Sequence, residues 1–466
     1  MLTKILFSLS VKDQLSIIRV CQHLREHAIG TPGLWTHVDQ IQNPAALSFV
    51  LERTGNNPVD ITNLAVKSPN DPQFGAVAAH MHHIRTLGLQ LGPYNYTFTT
   101  GSSAFKAFTT TAPMLQSLSF RAHRGVGSKG NPWVSSNFST SKDTMPRLSS
   151  LQLRGVDMTT TMLQQMHSLS TVSFSFGERF IYHGSSLAQN ASQHLHNLTT
   201  INIELASWIG LQEYLDLGPS VKRVNIRWTK PGLFVPCDAV ADGGDWNSIR
   251  AIHVKHMCSS STHPPAVTSY RATFAIPGTD APYQTLSLRT SGPPDTRVHV
   301  RAIDLADRER VFCGLHPTTV AGMVAQIPGR ELSTIAMSTT AVALGVFLDA
   351  RCPALSCVRL VLDTDDIAWI NIFARDISHI TTLERLEFGQ EADPAAKWTT
   401  DMIIRTISSC IAAGNKLQEV LFLGFSPGAQ CLTIVEMFSQ QVVVDQNWRE
   451  LKNERDWFTK LPFEWH

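Results

Sequence analysis

From residue 84 onward one short pattern returns along most of the chain: an apolar residue, two of any kind, a second apolar residue, one of any kind, a third. The copies are Ile84-Leu87-Leu89, Leu115-Leu118-Phe120, Leu148-Leu151-Leu153, Leu169-Val172-Phe174, Leu198-Ile201-Ile203, Val221-Val224-Ile226, Ile249-Ile252-Val254, Tyr283-Leu286-Leu288, Val300-Ile303-Leu305, Leu332-Ile335-Met337, Leu355-Val358-Leu360, Leu383-Leu386-Phe388 and Leu417-Val420-Phe422. Their first positions lie 17 to 34 residues apart, with a mean of about 28. Alternation within each copy is that of a strand with one buried face. Recurrence at this period means that no unit buries its apolar face alone, so neighbours must stack. Several separations also hold a helical stretch: Ser102 to Phe108, Leu187 to Leu195, Trp208 to Leu217, Thr319 to Ile327, Ala341 to Ala350, Ile367 to Ile377 and Met402 to Ala412. Pro113, Pro146, Pro219 and Pro353 precede strand positions, where proline ends a helix and extends the chain. One strand and one helix per unit predict an α/β solenoid built on a parallel sheet.

Composition agrees with a long buried interior. Of the 466 residues 43% are apolar and 17% charged, below the roughly 25% usual in soluble domains. Lys and Arg total 39 against 38 for Asp and Glu, so no global field attracts nucleic acid or an anionic membrane. Eight cysteines run from Cys21 to Cys431 with no CxxC pair, which predicts reduced thiols in an intracellular protein, cytoplasmic or nuclear. The apolar run near Ala341 to Leu348 is too short for a membrane helix, and Lys12 and Asp13 interrupt the apolar start before it reaches the length of a secretory signal. Residues 232 to 294 are rich in Pro, Gly and Ser and predict a strand-rich stretch or a long loop. After Gly428 the rhythm stops, and Val442 to Lys460 reads as a C-terminal cap.

The first sixty residues read differently. Leu2, Ile5, Leu6 and Leu9, then Leu15, Ile18, Val20, Cys21 and Leu24, recur at helical spacing and predict two short helices, with Asp13 as cap or first-turn acid of the second. Leu9-Ser-Val-Lys-Asp-Gln-Leu15, Arg19-Val-Cys-Gln-His-Leu-Arg25 and Gly30-Thr-Pro-Gly-Leu-Trp-Thr-His-Val38 resemble the F-box motif. Asn43-Pro44, Ala45 to Arg53, Gly55 and Asn57-Pro-Val-Asp-Ile61 are similar to the helix and first strand that follow it in basidiomycete F-box proteins. Asn43 is placed to cap that helix, Pro44 to occupy its first position and Gly55 to take the left-handed site beyond it. The repeats, in turn, resemble leucine-rich repeats, although most copies lack the closing Asn or Cys.

The expected organisation is an F-box-like module over 1–40, N-terminally truncated because the Leu-Pro-x-Glu opening is absent, then a linking helix and first strand over 41–64, an irregular leucine-rich-repeat array over 65–430 and a cap over 431–466. The resemblance implies the substrate-recognition subunit of an SCF-type cullin-RING ubiquitin ligase, docking a Skp-family adaptor through Leu2, Ile5, Leu6, Leu9, Leu15, Ile18, Val20, Cys21, Leu34 and Trp35. A protein-binding repeat scaffold without a ligase role is the alternative.

Enzyme signals are weak beside this. Gly424-Phe-Ser-Pro-Gly428 has the spacing of a nucleophile elbow, with Asp445 and His466 in the order of a triad, but Pro427 lacks the N–H that an oxyanion needs. A repeat-closing turn is the expectation. His253, His256, Cys258 and His263 fit no usual zinc spacing, and Gly125 to Gly130 lacks the Lys-Ser/Thr of a phosphate loop. No catalysis, metal or cofactor is expected. In each copy the residues flanking the apolar ones point to the opposite, solvent-facing side of the sheet. From the second to the eighth copy these include Arg121, Arg154, Arg223, Arg227, Lys255 and Arg289 against the single acid Glu204. Charge of one sign stacked on neighbouring strands predicts a surface for an acidic or phosphorylated protein substrate. The plainer expectation is that these bases solvate the sheet or pair with loop acids.

Overall fold

A computed structural model of the chain describes residues 2–92, 96–98, 101–122, 133–136, 144–158, 166–176, 195–205, 220–228, 249–256, 283–290, 297–317, 320, 331–344, 352–390, 397–446 and 448. Contacts divide the chain into two compact units: Met1–Ala206 with Gly210–Lys222, and Arg223–His466 with Ser207–Ile209. Both are mixed α/β, and strand pairing is mostly parallel. Among the described residues no helix is long and apolar enough to cross a membrane.

The first unit opens with three helices rather than the expected two: α1 (Leu2–Phe7), α2 (Val11–Ile17) and α3 (Gln22–Ile29). Ser10 caps α2 by accepting from the Asp13 N–H, so Asp13 is the first-turn acid. The chain turns after Ile18, whose carbonyl accepts from the Arg25 guanidinium at 2.9 Å. A 3-10 turn, Pro32–Trp35, buries Leu34 and Trp35, and the Trp35 indole donates to the Ala28 carbonyl at 3.0 Å. Strand β1 (His37–Asp39) follows, then α4 (Pro44–Arg53), capped by the Asn43 side chain on the Ala45 and Ala46 N–H groups with Pro44 in the first turn. Gly55 takes φ +60° beyond it, as the sequence predicts.

The remaining elements of this unit are β2 (Val59–Val66), α5 (Gln73–His80), β3 (Ile84–Leu91), β4 (Tyr96–Phe98), α6 (Ser103–Thr109), β5 (Ser117–Ala122), β6 (Trp133–Ser136), β7 (Ser150–Arg154), β8 (Asp157–Met158), β9 (Thr171–Phe176) and β10 (Thr200–Leu205). Strands β1, β2, β3, β5, β7, β9 and β10 pair in that order, all parallel. Strands β4, β6 and β8 form a small parallel sheet of their own. Each copy's first apolar residue closes a tight turn before the strand: the Leu115, Leu148, Leu169 and Leu198 N–H groups donate three residues back. That turn sets the three-residue offset between first and second apolar positions, and both are then buried. Phe108 on α6 packs on Phe120 of β5 and on Phe74 of α5. Leu151 is fully buried.

The second unit holds β11 (Arg223–Trp228), β12 (Ala251–His256), β13 (Tyr283–Thr290), β14 (Val298–Asp304), β15 (Glu309–Leu315), β16 (Thr334–Ser338), α7 (Thr339–Ala343), β17 (Cys357–Leu362), α8 (Ala368–Ile377), β18 (Arg385–Gln390), α9 (Thr400–Ala412), β19 (Glu419–Leu423), α10 (Ala429–Glu436) and β20 (Gln441–Asp445). Spatial order departs from chain order: β12 pairs with β15, β15 with β14, β14 with β13 and β13 with β16. Strand β14 is antiparallel to both neighbours, so the expectation of an all-parallel sheet fails here. The copy Val300-Ile303-Leu305 fails with it. In β14 the buried set is Val298, Val300, Ala302 and Asp304, whereas Leu305 is 55% exposed in the turn to β15. Asp304 builds that turn by accepting from the Ala306 and Arg308 N–H groups at 2.9 Å.

Elsewhere the second and third residues of each predicted triad lie on strands, and the triads face the core. Phe174 is half-buried, and the Val254 side chain lies outside the described residues. Predicted helical stretches at Ser102 to Phe108, Ile367 to Ile377 and Met402 to Ala412 are helices α6, α8 and α9. That at Ala341 to Ala350 is met by the short α7, and those at Leu187, Trp208 and Thr319 lie largely outside the described residues. The rhythm also runs past Gly428, because β20 pairs in parallel with β19.

Candidate partner-binding faces

The apolar residues of the N-terminal helices divide between a core and a surface. Leu6, Ile18, Leu34 and Trp35 are buried within the first unit, and Leu9 and Leu15 are half-buried. Ile5 and Val20 are 52% and 72% exposed, and Cys21 is exposed with them. Phe7 and Ile29, which the helical spacing does not single out, are exposed as well. The Leu2 side chain lies outside the described residues. Packing explains the split: β1 pairs with β2, so the 3-10 turn just before it is drawn against the sheet and α4, where Trp35 meets Phe49 edge-on.

On the face of the first unit opposite its helices, equivalent positions form three rows. One row is Ser117, Ser150, Thr171 and Thr200, and the next is Ser119, Gln152, Ser173 and Asn202. The third is Gln90, Arg121, Arg154, Ser175 and Glu204, which sets Arg121 beside Arg154 on adjacent strands, about 4.8 Å apart. Both arginines are half-buried. At the head of the sheet Asp60 accepts from the Arg85 Nε at 2.9 Å and lies 3.4 Å from His37. Burial alone would raise the Asp60 pKa, but the bonds from Arg85 and Thr86 and the nearby positive charge hold it below the usual carboxylate range.

In the second unit Arg227 is in register with Lys255, whose side chain lies outside the described residues, and Arg223 with Ala251. Arg289 is in register with His299 on β14 and is nearly buried. The expected solvent-facing rows are therefore only partly exposed here. The face carries its own apolar residues, Val311, Cys313, Ala336, Val361, Leu421 and Leu423, all buried, and polar groups sit among them. His253 is 2% exposed and 3.1 Å from Glu309, which also accepts from Arg301 at 2.7 Å. Burial lowers the His253 pKa despite that carboxylate. For Glu309 burial acts upward, but His253 and Arg301 outweigh it and the net shift is downward.

Charged residues of the last copies, beyond the second-to-eighth reading, assemble the best-formed feature of this face. Glu387 on β18 is 2% exposed and takes the Arg359 guanidinium from β17 and the Arg385 Nε from its own strand at 2.7 Å. Arg385 also lies 3.3 Å from Glu419 on β19, and Arg359 lies 5.4 Å from the Trp448 ring centre. Arg359, Arg385, Glu387 and Glu419 line an open depression of about 460 Å³. Reading the flanking positions of the eleventh to thirteenth copies locates them in the sequence.

No protein-family model matches the chain, and no curated protein matches it. Its function is therefore argued from these faces alone.

Gly424 to Gly428 forms the turn between β19 and α10, with Gly424 at φ +83° donating its N–H to the Asp445 carbonyl at 2.8 Å. His466, Cys258, His263 and the Gly125 to Gly130 segment lie outside the described residues, as does the His256 side chain. Among the described residues no group of three or more His, Cys, Asp or Glu side chains is placed to hold a metal ion.

Proposed function

We propose that the chain is the substrate-recognition subunit of an SCF-type cullin-RING ubiquitin ligase, holding a Skp-family adaptor with its N-terminal helices and a protein substrate with its repeats. The observation that carries this reading is the exposed apolar set Ile5, Phe7, Val20 and Ile29 on helices α1 to α3 and the turn between them. Apolar groups gathered on so short a module gain by leaving water against a partner. In this reading the chain does no chemistry of its own. It holds a target while other subunits transfer ubiquitin.

A second reading has its own support. Leu6, Ile18, Leu34 and Trp35 are buried within the first unit and β1 joins its sheet, so the module also serves as a cap on the first repeat. A repeat scaffold without a ligase role needs no more than that. Capture of the purified chain on an immobilised Skp-family adaptor separates the two. The ligase reading expects retention that Ile5→Asp and Val20→Asp together reduce at least tenfold. Absence of retention, both for this chain and for a form extended upstream of Met1, favours the scaffold.

A further inference from the structure

The depression on β16 to β19 contains more carboxylates than guanidinium groups. Glu384, Glu387 and Glu419 line it, against Arg359 and Arg385. Both arginines are committed to Glu387, the most buried of the three. Among the described residues Glu419 receives only the second, longer contact of Arg385, at 3.3 Å. Glu384 is exposed and makes no ion pair among the described residues. Glu384, just before β18, and Glu419, at the start of β19, are neighbours in the lining of the depression, where the Gln418 and Glu419 N–H groups donate to the Glu384 carbonyl at 2.7 and 3.1 Å. Cys357 adds no charge, since burial and then the Glu387 carboxylate push its thiol up to about 12.

We propose that this depression receives a lysine or arginine side chain from a protein partner, held between the Glu384 and Glu419 carboxylates. The inference rests on the repeats being a partner-binding surface and names the chemistry of that partner. Charge complementarity selects the occupant. An anionic side chain would meet a net excess of one negative charge and two arginines already ion-paired with Glu387, and an apolar one would strip water from charges without replacing their bonds. A basic side chain supplies the missing positive charge. This partner chemistry is opposite in sign to that suggested by Arg121, Arg154 and the other bases of the second to eighth copies.

The test is selection of a displayed random dodecapeptide library on the purified full chain, followed by fluorescence polarisation of the selected peptides. Selected peptides are expected to share a Lys or Arg whose replacement by Gln weakens binding at least tenfold. The E384Q/E419Q variant, nearly isosteric at both positions, is expected to lose them to the same degree while its melting temperature is unchanged. The single E384K variant, at an exposed position, is expected to bind peptides carrying Glu in place of the basic residue. Failure to select any peptide, selection of acidic or purely apolar sequences, or full binding by E384Q/E419Q would each overturn the proposal. Adaptor capture by E384Q/E419Q reads the ligase proposal separately, because the N-terminal helices are untouched.

Discussion

His83 lies in the short turn after α5 with its ring 2% exposed, one nitrogen 3.2 Å from the Thr54 hydroxyl and the other 2.9 Å from His82. Burial, then the charges of His82 and His80, lower its pKa from 6.5 to about 4. Because the folded pKa lies below the unfolded one, the folded state binds fewer protons. The stability this neutral ring supports is complete above pH 6.5 and falls as pH drops from 6.5 towards 4. His83→Gln, which keeps a partner for Thr54, is expected to flatten the melting temperature over that window; an unchanged slope would refute the assignment. Asn415 poses a hydrogen-bonding question instead. Buried after α9, it accepts from the Leu383 N–H at 2.9 Å and donates to the Cys410 carbonyl at 3.0 Å. Asn415→Leu keeps the branched shape but takes the acceptor from the Leu383 N–H, while the Cys410 carbonyl still accepts from the backbone N–H of residue 415 at 3.2 Å, so denaturant titration is expected to show a loss of about 1–3 kcal/mol. Neither role is visible in the sequence, where His83 and Asn415 are ordinary polar residues; distant contacts create both.

At the scale of the element, one kind of bond recurs between neighbouring strands at five of the repeats. The Ser149, Ser170, Thr199, Ser333 and Ser356 hydroxyls donate to carbonyls on the approach to the neighbouring strand, at 3.1 to 3.4 Å beside the backbone bonds there. Each of these residues directly follows the first apolar position of its copy, so the signal was present as Leu-Ser or Leu-Thr. The turn at Gly424 is more demanding. Its φ of +83° is left-handed, and a Cβ there would press on the Gln390 carbonyl oxygen. Gly424→Ala is expected to cost at least about 1–2 kcal/mol from backbone conformation, with the steric overlap added. A melting temperature equal to wild type would contradict that geometry. The antiparallel β13 to β15 insertion was not legible. Val300-Ile303-Leu305 satisfies the apolar pattern, but alternation is equally consistent with either strand direction and either register.

For the molecule as a whole, two compact units each with a buried core predict separable responses to core damage. Leu151→Asp places an unpaired charge at a fully buried position of the first unit and is expected to destabilise that unit by about 4 kcal/mol or more. Hydrogen exchange is expected to show lost protection in β5, β7 and β9 while β17 to β19 stay protected. Uniform loss over both units would mean that they unfold as one. The sequence by itself determined most of the strand positions, the α/β class, the capped helix after Asn43 and the exposed apolar residues Ile5 and Val20, because periodicity and capping act over a few residues. Tertiary structure alone decided that Leu6, Ile18, Leu34 and Trp35 turn inward, that Arg289 is nearly buried, that β15 rather than β13 pairs with β12, and that Arg359, Glu387, Arg385 and Glu419 converge. Those outcomes depend on which strands become neighbours, and an alternating pattern specifies a face without naming the partner that will cover it.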